Sequence, residues 1–556
     1  MARLLQIFGF LSVLFRGATL TFQSLAVGGI VFLLFVARDS NKHSNDISGA
    51  DSSEDSNALK TSCLRWIRRS ALALAAMQIA YVLANSLILM QSADMTLADV
   101  SGANYVIAGF LGIASALTIA ALSNARPPRS SALLLFPAAA VITSSVMTSH
   151  AMARLDYRAP LVAFTALHQA ATATWLGGLP YLLIAIRGTQ STDFARKVCA
   201  RFSKLALVSV CVLASAGFVL GFAYVGSFRA AYGTSYGAMV TTKLILFGVL
   251  LLLGALNYQL VRAGSSSSIL SSLKRFGEAE IGIGITVILT AASLTSLPPA
   301  ADLTNDRVSA VEIFARMAPR PPRLGSPTMQ ELPEDIYAAE KKAFDSGSLA
   351  TESFVPGQAG TRPNTPAEKA WSEYNHHWAG IIVLCVGLLA LLAQAGRVSW
   401  ARNWPLAFFG LAVFLFLRSD PEVWPLGPNG FWVTMADPEV LMHRIFVVLV
   451  IALAIFEWRV QTGRVASANI RLVFPLLVAF SGALLLTHSH SLGNIKEEVL
   501  AELSHIPLAI LAVAAGWSRW LELRLPSENQ TRHLVARLWP ACIMLIGVVL
   551  LNYHEM

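Results

Sequence analysis

Thr241–Val261 reads TTKLILFGVLLLLGALNYQLV. Lys243 is its only charged residue, and as a helix its 21 residues rise about 30 Å, the thickness of a bilayer's hydrocarbon core. Lipid offers backbone amides no partner, so such a stretch must pair them internally as a membrane-spanning helix. The rest of the chain repeats the pattern. Of 556 residues, 55% are hydrophobic and 13% charged, against about 25% charged in a soluble domain, and the mean hydropathy is +0.58. Apolar runs at 14–37, 70–90, 102–122, 131–150, 160–186, 204–226, 238–261, 277–298, 377–396, 404–418, 439–458, 472–489, 500–518 and 538–553 predict an all-α, polytopic transmembrane helical bundle of about fourteen helices.

The runs fall into two groups. Between the eighth and ninth lies 299–376, rich in Pro, Gly and charge, as in RMAPRPPRLGSPTMQELPEDIYAAEKKAFDSGS at Arg316–Ser348. It reads as an extramembrane linker with one short helix near 333–345. The predicted organisation is therefore an eight-helix domain (1–298), the linker (299–376) and a six-helix domain (377–556). The apolar run from Leu4 to Ala37 is too long for a signal-peptide core and lacks a small-residue cleavage site, so it reads as an uncleaved first helix.

Lys and Arg set the orientation. Loops after odd-numbered helices hold 24 of them and the short loops after even-numbered helices hold 4. Basic loops stay cytoplasmic, which places both termini and the linker on the outer side of the membrane. The net charge of +9 is thus topology, with the lipid bilayer as partner and no nucleic acid. Five scattered cysteines form no C-x-x-C, which argues against a thiolate metal site, c-type haem or a disulfide scaffold.

With that orientation, nine of the eleven histidines fall at or near the outer face: His150, His168, His376, His377, His443, His488, His490, His505 and His554. Any one imidazole at a helix end is tolerated by the headgroup zone and needs no ligand to explain it. The one-sidedness of the set does ask for a reason, and His168, about two turns inside its helix, is costly enough to mark a site. Imidazole suits copper, zinc and haem iron, while thioether sulfur selects Cu(I). Met147 and Met152 flank His150 in MTSHAM, with Met147 three residues back on the same helical face, and Met442 adjoins His443 in LMHR. Methionine is also an ordinary gap-filler in apolar helices. In THSHS, His488 and His490 lie about 200° apart around a helix and converge only if its end frays.

A second set of polar residues lies deeper. In FTALHQAATATWLGGLPYLLIAIR (Phe164–Arg187), His168 and Trp175 are two turns apart on one face, and Gly177–Gly178 lets a neighbouring helix approach closely. Lys243 and Asn257, fourteen residues apart, share a face of their helix, although Lys243 can also snorkel outward and Asn257 can serve as an interhelical hydrogen bond. Arg16 and Glu280 are further intramembrane charges. Trp175, Lys243, Asn257 and Glu280 are the candidate pathway residues.

These residues resemble the copper resistance protein D (CopD) family of bacterial inner-membrane proteins. The likeness lies in SHAM (149–152), LHQAATATWLGGL (167–179), TKLILFGVLLLLGALNYQL (242–260) and EAEIGIGITVILTAASLTSLPPA (278–300), and covers roughly 140–300. The resemblance implies movement or handling of copper across the inner membrane, with a periplasmic CopC-like copper-binding protein as partner. His150 and His168 match the family's histidines in these helices, and Ser149 stands where the family usually has Gly. The six-helix unit, with EYNHHWAG, WPLGP, HRIFVVLVIALAIFEWR and THSHSLG, looks like an extension found in some longer members.

Copper transport or copper handling with outer-face His and Met ligands is accordingly the first reading, the copper ion being bound along a series of exchangeable sites. The alternative is a b-type haem-binding electron-transfer protein or a cytochrome oxidase assembly factor, with pairs such as His443 and His505, or His150 and His168, as axial ligands of haem b. No pair sits at opposite depths, as an electron wire across the membrane requires. No P-loop and no H-E-x-x-H is present, so the chain is not expected to be an enzyme.

Overall fold

In a computed structural model the described residues are 2–37, 48–92, 95–124, 131–189, 191–263, 267–305, 307–327, 366–396, 398–419, 423–436, 438–487 and 496–555. The fold is all-helical, with no strand among these residues. The short helix expected near 333–345 lies outside them. Clustering of contacts divides the chain into two compact units with the boundary between Asn305 and Asp306.

The first unit contains α1 (Ala2–Phe35), α2 (Ser48–Ser92), α3 (Asn104–Leu122), α4 (Leu135–Met147), α5 (Arg158–Trp175), α6 (Leu179–Gly188), α7 (Thr192–Val225), α8 (Ser235–Ala263) and α9 (Ser267–Leu294). The second contains α10 (Ala310–Met317), α11 (Pro366–Gln394), α12 (Phe408–Arg418), α13 (Pro438–Gln461), α14 (Val473–Leu485), α15 (Lys496–Arg524) and α16 (Gln530–Leu551). Eleven helices among the described residues are long and apolar enough to cross a membrane, α5 and α6 counting as one span, and the segments of α4 and α14 are shorter apolar helices. Each of the fourteen expected runs contains a helix.

Three differences from the expected boundaries have physical causes. Residues 160–186 form two helices, α5 and α6, around the turn Leu176–Gly178, with Pro180 in the first turn of α6, where its missing N–H costs nothing. The run at 131–150 ends as a helix at Met147, and His150 opens a separate turn, so Met147 and His150 do not share a helical face. The run placed at 500–518 continues to Arg524 because Arg519, counted above as a loop charge, is buried and paired. It lies 2.6 Å from Glu522 and 3.5 Å from Glu457 of α13, while Trp539 and Gln394 donate to Glu522 at 2.7 and 2.9 Å.

Close crossings of small residues hold the spans together, since lipid gives no hydrophobic drive for helices to associate. In the first unit α1 packs against α2, α5 and α9. A Cβ added at Gly177 would lie 1.8 Å from the Ser24 carbonyl oxygen, and one at Gly28 would lie 2.2 Å from that of Ala173. Only glycine permits this contact. Arg16 of α1 is buried and donates to Ser145 O at 3.3 Å, beside a cavity of ≈ 10 Å³ lined by Thr19, Gln23, Gln78 and Ser144, about the space of one water.

In the second unit, Trp404, Phe474 and Trp539 form an aromatic core with ring centroids 5.4 to 6.5 Å apart. Its short helix α10 is capped reciprocally: Glu312 N–H donates to the Ser309 hydroxyl at 3.2 Å, and Ser309 N–H donates to the Glu312 carboxylate at 2.6 Å. The Ser309 N–H, then the Ser309 hydroxyl and the Lys496 ammonium 3.2 Å away, hold that carboxyl down at about 2. A depressed acid stabilises above its ordinary range, so this cap is lost only as pH falls toward 2.

The glycine crossing makes a sharp expectation. Gly177→Ala should lower stability by about 1–3 kcal/mol, since α1 must shift to admit the methyl. Gly188→Ala, with nothing within 4 Å of its added Cβ, should be neutral or slightly stabilising. Thermal unfolding midpoints in detergent separate the two, and equal midpoints would show that α1 and α5 are not in the contact described.

Candidate functional site

Three helices of the first unit meet at one buried carboxylate. α5 brings Trp175, α8 brings Asn257 and α9 brings Glu280. Trp175 Nε1–H donates to Glu280 Oε1 at 3.0 Å, and Asn257 Nδ2–H donates to Oε2 at 2.8 Å. Glu280 is 2% exposed. Both of these partners are neutral, and the Asn257 carbonyl oxygen is buried with no hydrogen-bond partner among the described residues. A carboxylate held by neutral donors in the membrane interior is an expensive arrangement that calls for a cation or a proton. Three of the four candidate pathway residues are thus in contact. Lys243, the fourth, lies fourteen residues along α8, about 21 Å away along its axis.

Lys243 lies instead within electrostatic range of His168. The His168 ring is half-buried, faces Gly217 of α7, where an added Cβ would approach to 3.3 Å, and has an Nδ1 with no hydrogen-bond partner among the described residues. Trp175, seven residues on, places the Glu280 site two turns further along the same face of α5. α5 and α8 therefore present two polar levels to the interior.

His150 has a different surrounding. Its Nε2–H donates to the Leu294 carbonyl at 3.0 Å, at the end of α9. Pro298 cannot supply the N–H that would have taken this carbonyl in a continuing helix and the Leu297 N–H reaches it only at 3.4 Å, so His150 adds a side-chain cap. Its ring sits edge-on to Tyr224 and Tyr236 at 6.1 and 6.0 Å. Met152 accepts a contact from Arg158 at 3.9 Å, and Met147 is half-buried. Nearby, Gly233–Gly237 reads GTSYG, a G-x-S-x-G spacing that the sequence reading missed. A nucleophile elbow needs a strand-to-helix turn, whereas here a short helix, Phe228–Gly233, leads into α8 and Ser235 is 2% exposed.

The second unit collects histidines at the ends of α11, α15 and α16. His376 Nδ1–H donates to Ser372 O at 2.8 Å and its ring stacks on Tyr553 at 3.8 Å. His505 Nδ1–H donates to Ala501 O at 2.7 Å, and its ring centroid is 6.3 Å from that of His376. His377 uses both nitrogens, accepting from Arg323 N–H at 2.7 Å and donating to Tyr553 O at 2.8 Å, so it is a structural clamp with no nitrogen open to a metal. His554 lies 3.7 Å from Glu373, and burial holds its imidazole below the ordinary value against that carboxylate's opposing pull. Tyr553 donates to Glu555 at 3.0 Å.

Glu373, Tyr553 and Glu555 were not among the sequence-derived site residues, and His554 was read only as one of the outer-face histidines. The signal available for them was NYHEM, a polar chain end following an apolar span. His443 is half-buried on α13, the Met442 side chain is not described, and His488 and His490 lie outside the described residues. Among the described residues no group of three or more His, Cys, Asp or Glu is arranged to hold a metal ion.

Residues 196–294 match the family model for copper resistance protein D. Over that stretch the chain is similar to the CopD family. The match takes in α8 and α9 and most of α7, and with them Lys243, Asn257 and Glu280. His168 and Trp175 precede it in the chain by 28 and 21 residues. Copper transport protein CutJ of Bacillus subtilis (strain 168) is 29% identical over 224 residues, 40% of this chain and 35% of that protein. The alignment thus spans about a third of the relative's length. No solved structure matches the chain. The matched stretch supplies the buried carboxylate and one of its two donors, and α5 completes the site from outside it.

Removing the other donor tests the geometry. Trp175→Phe leaves a buried carboxylate oxygen unpaired and should cost about 1–3 kcal/mol of stability. Detergent unfolding reads this directly, and an unchanged midpoint would mean that the Trp175–Glu280 bond is not made.

Proposed function

We propose that this multi-pass membrane protein carries copper across a bacterial inner membrane, through the interior of its first unit. One observation carries the reading: the buried His168 Nδ1, with no hydrogen-bond partner among the described residues, lies on the same face of α5 as Trp175, the donor to a buried carboxylate whose hydrogen-bond partners among those residues are neutral. In the membrane interior a lone-pair nitrogen and an uncompensated negative charge are what a monovalent or divalent copper cargo would seek in turn. The CopD match and the printed name of the Bacillus relative support copper as that cargo. The haem reading draws no support from them.

In this reading His168 is the first buried ligand and Glu280, oriented by Trp175 and Asn257, is the next station. Each offers few donors, so each holds the ion weakly enough to pass it on. Lys243, within electrostatic range of His168, is a positive charge that an entering cation must overcome or displace. His150 keeps the end of α9 in place. The two-domain organisation, 1–298 and 377–556 about the 299–376 linker, is retained as a proposal, as is the orientation with both termini periplasmic, which rests on the Lys and Arg asymmetry. A periplasmic CopC-like protein would meet the outer end of α5.

His168→Ala should abolish the protein's effect on cellular copper while the protein still reaches the membrane. Elemental analysis of cells with wild type, the variant and no protein measures this. A variant that shifts cellular copper as the wild type does would rule out a passage along α5.

A further inference from the structure

α13 of the second unit ends in a left-handed turn at Gly463, with φ 75°. There Gly463 N–H donates to Val460 O at 3.1 Å and Arg464 N–H donates to Arg459 O at 2.9 Å, a helix end that glycine closes without a steric penalty. The turn brings Arg464 back beside the last turn of α13, where its guanidinium covers the Trp458 ring at 4.4 Å. Trp458 is held in turn by donating to Asn403 Oδ1 at 2.9 Å, and Arg471 donates to Val465 O at 2.9 Å, which fixes the loop after the turn.

Along that loop and the end of α13 runs a groove of ≈ 370 Å³, inside the range of about 300–1,000 Å³ that small-molecule sites occupy. Ala452, Ile455, Phe456 and Ile470 form its apolar part, Arg459 and Arg464 form its basic part, and no acidic residue lines it. Glu457, two residues before Arg459, pairs with Arg519 at 3.5 Å instead. Neither groove arginine has a carboxylate partner among the described residues. The groove continues onto an uncovered face of the span. Val448, Ala452 and Ile455 are exposed and recur at i, i+4 and i+7, with Arg459 at i+11, so an apolar stripe about 16 Å long leads up to the guanidinium.

These features select a ligand with two chemistries. Two uncompensated guanidiniums call for an anion, and their planar forks match phosphate oxygens. The apolar wall and the stripe below it call for an acyl chain. Free phosphate would leave that wall without a partner, and a zwitterionic lipid would bring a cation of its own to the two arginines. We propose that the groove binds one anionic phospholipid, its phosphate held by Arg459 and Arg464 and an acyl chain lying along the Val448–Ala452–Ile455 face of α13. The site is independent of copper and of the passage through the first unit.

The test is native mass spectrometry of the full-length protein, delipidated in a neutral detergent and titrated with phosphatidylglycerol or with phosphatidylethanolamine of the same acyl chains. Wild type should retain one phosphatidylglycerol about thirtyfold more tightly than phosphatidylethanolamine, about fivefold for each arginine. Arg459→Gln with Arg464→Gln should lose that preference, and either change alone should leave about fivefold of it. Arg262→Gln with Arg537→Gln, which removes two exposed arginines elsewhere, should bind as wild type does. The proposal is overturned if wild type does not distinguish the two lipids, if the groove pair keeps the wild-type preference, or if the control pair loses it equally. It is overturned too if inorganic phosphate at equal concentration displaces phosphatidylglycerol from wild type, which would make the groove a site for the free anion. The wild-type comparison and the single changes keep the test decisive without the double variant, and a failure of copper passage would alter none of these results.

Discussion

The carboxylate of Glu280, taken up by one indole N–H and one amide N–H, fixes the interior of the first unit. Its donors come from α5 and α8 and it sits on α9, so a single side chain sets the register of three spans. In water such bonds would be exchanged for solvent at little net cost. In hydrocarbon no exchange is on offer, and each buried polar group must be met by a chosen partner. What matters functionally is the charge left over, since two neutral donors orient a carboxylate without cancelling it.

The second unit shows the contrast. There a buried guanidinium, Arg519, lies between Glu457 and Glu522, and Trp539 and Gln394 also donate to Glu522. Carboxylates with their own cation hold helices together and have less need of a passing one. The same residue types therefore do different work in the two units. The difference lies in whether the compensating charge is built in, which is why the transport reading is attached to Glu280 and the structural one to Arg519.

Much of the fold was legible in the sequence because the bilayer imposes a length: runs of about twenty apolar residues could be placed without tertiary information. Spacing within one helix was legible too, as with His168 and Trp175, or Lys243 and Asn257. Pairing between helices was not. Nothing in the chain says that Trp175 and Asn257 converge on Glu280, or that Arg519 extends α15 because Glu457 waits on α13. The histidines show the same limit. An outer rim of imidazoles could be read from topology, but His150 is spent on a helix end that Pro298 leaves open, and His377 has both nitrogens bound to backbone. Which imidazoles have a nitrogen to offer is a property of carbonyls that only folding brings near. The residues of NYHEM matter through where α16 delivers them, which no local pattern in the sequence shows.

The most direct measurement is copper flux in proteoliposomes reconstituted with wild type or Glu280→Gln. Glutamine keeps the shape, and a turn of the Asn257 amide restores its hydrogen bond, so the unfolding midpoint should hold to within about 1 kcal/mol while the charge is lost. Copper flux should fall by about tenfold or more, the equivalent of about 1.4 kcal/mol on the path of the ion. Flux equal to wild type from a stably folded Glu280→Gln protein would contradict it.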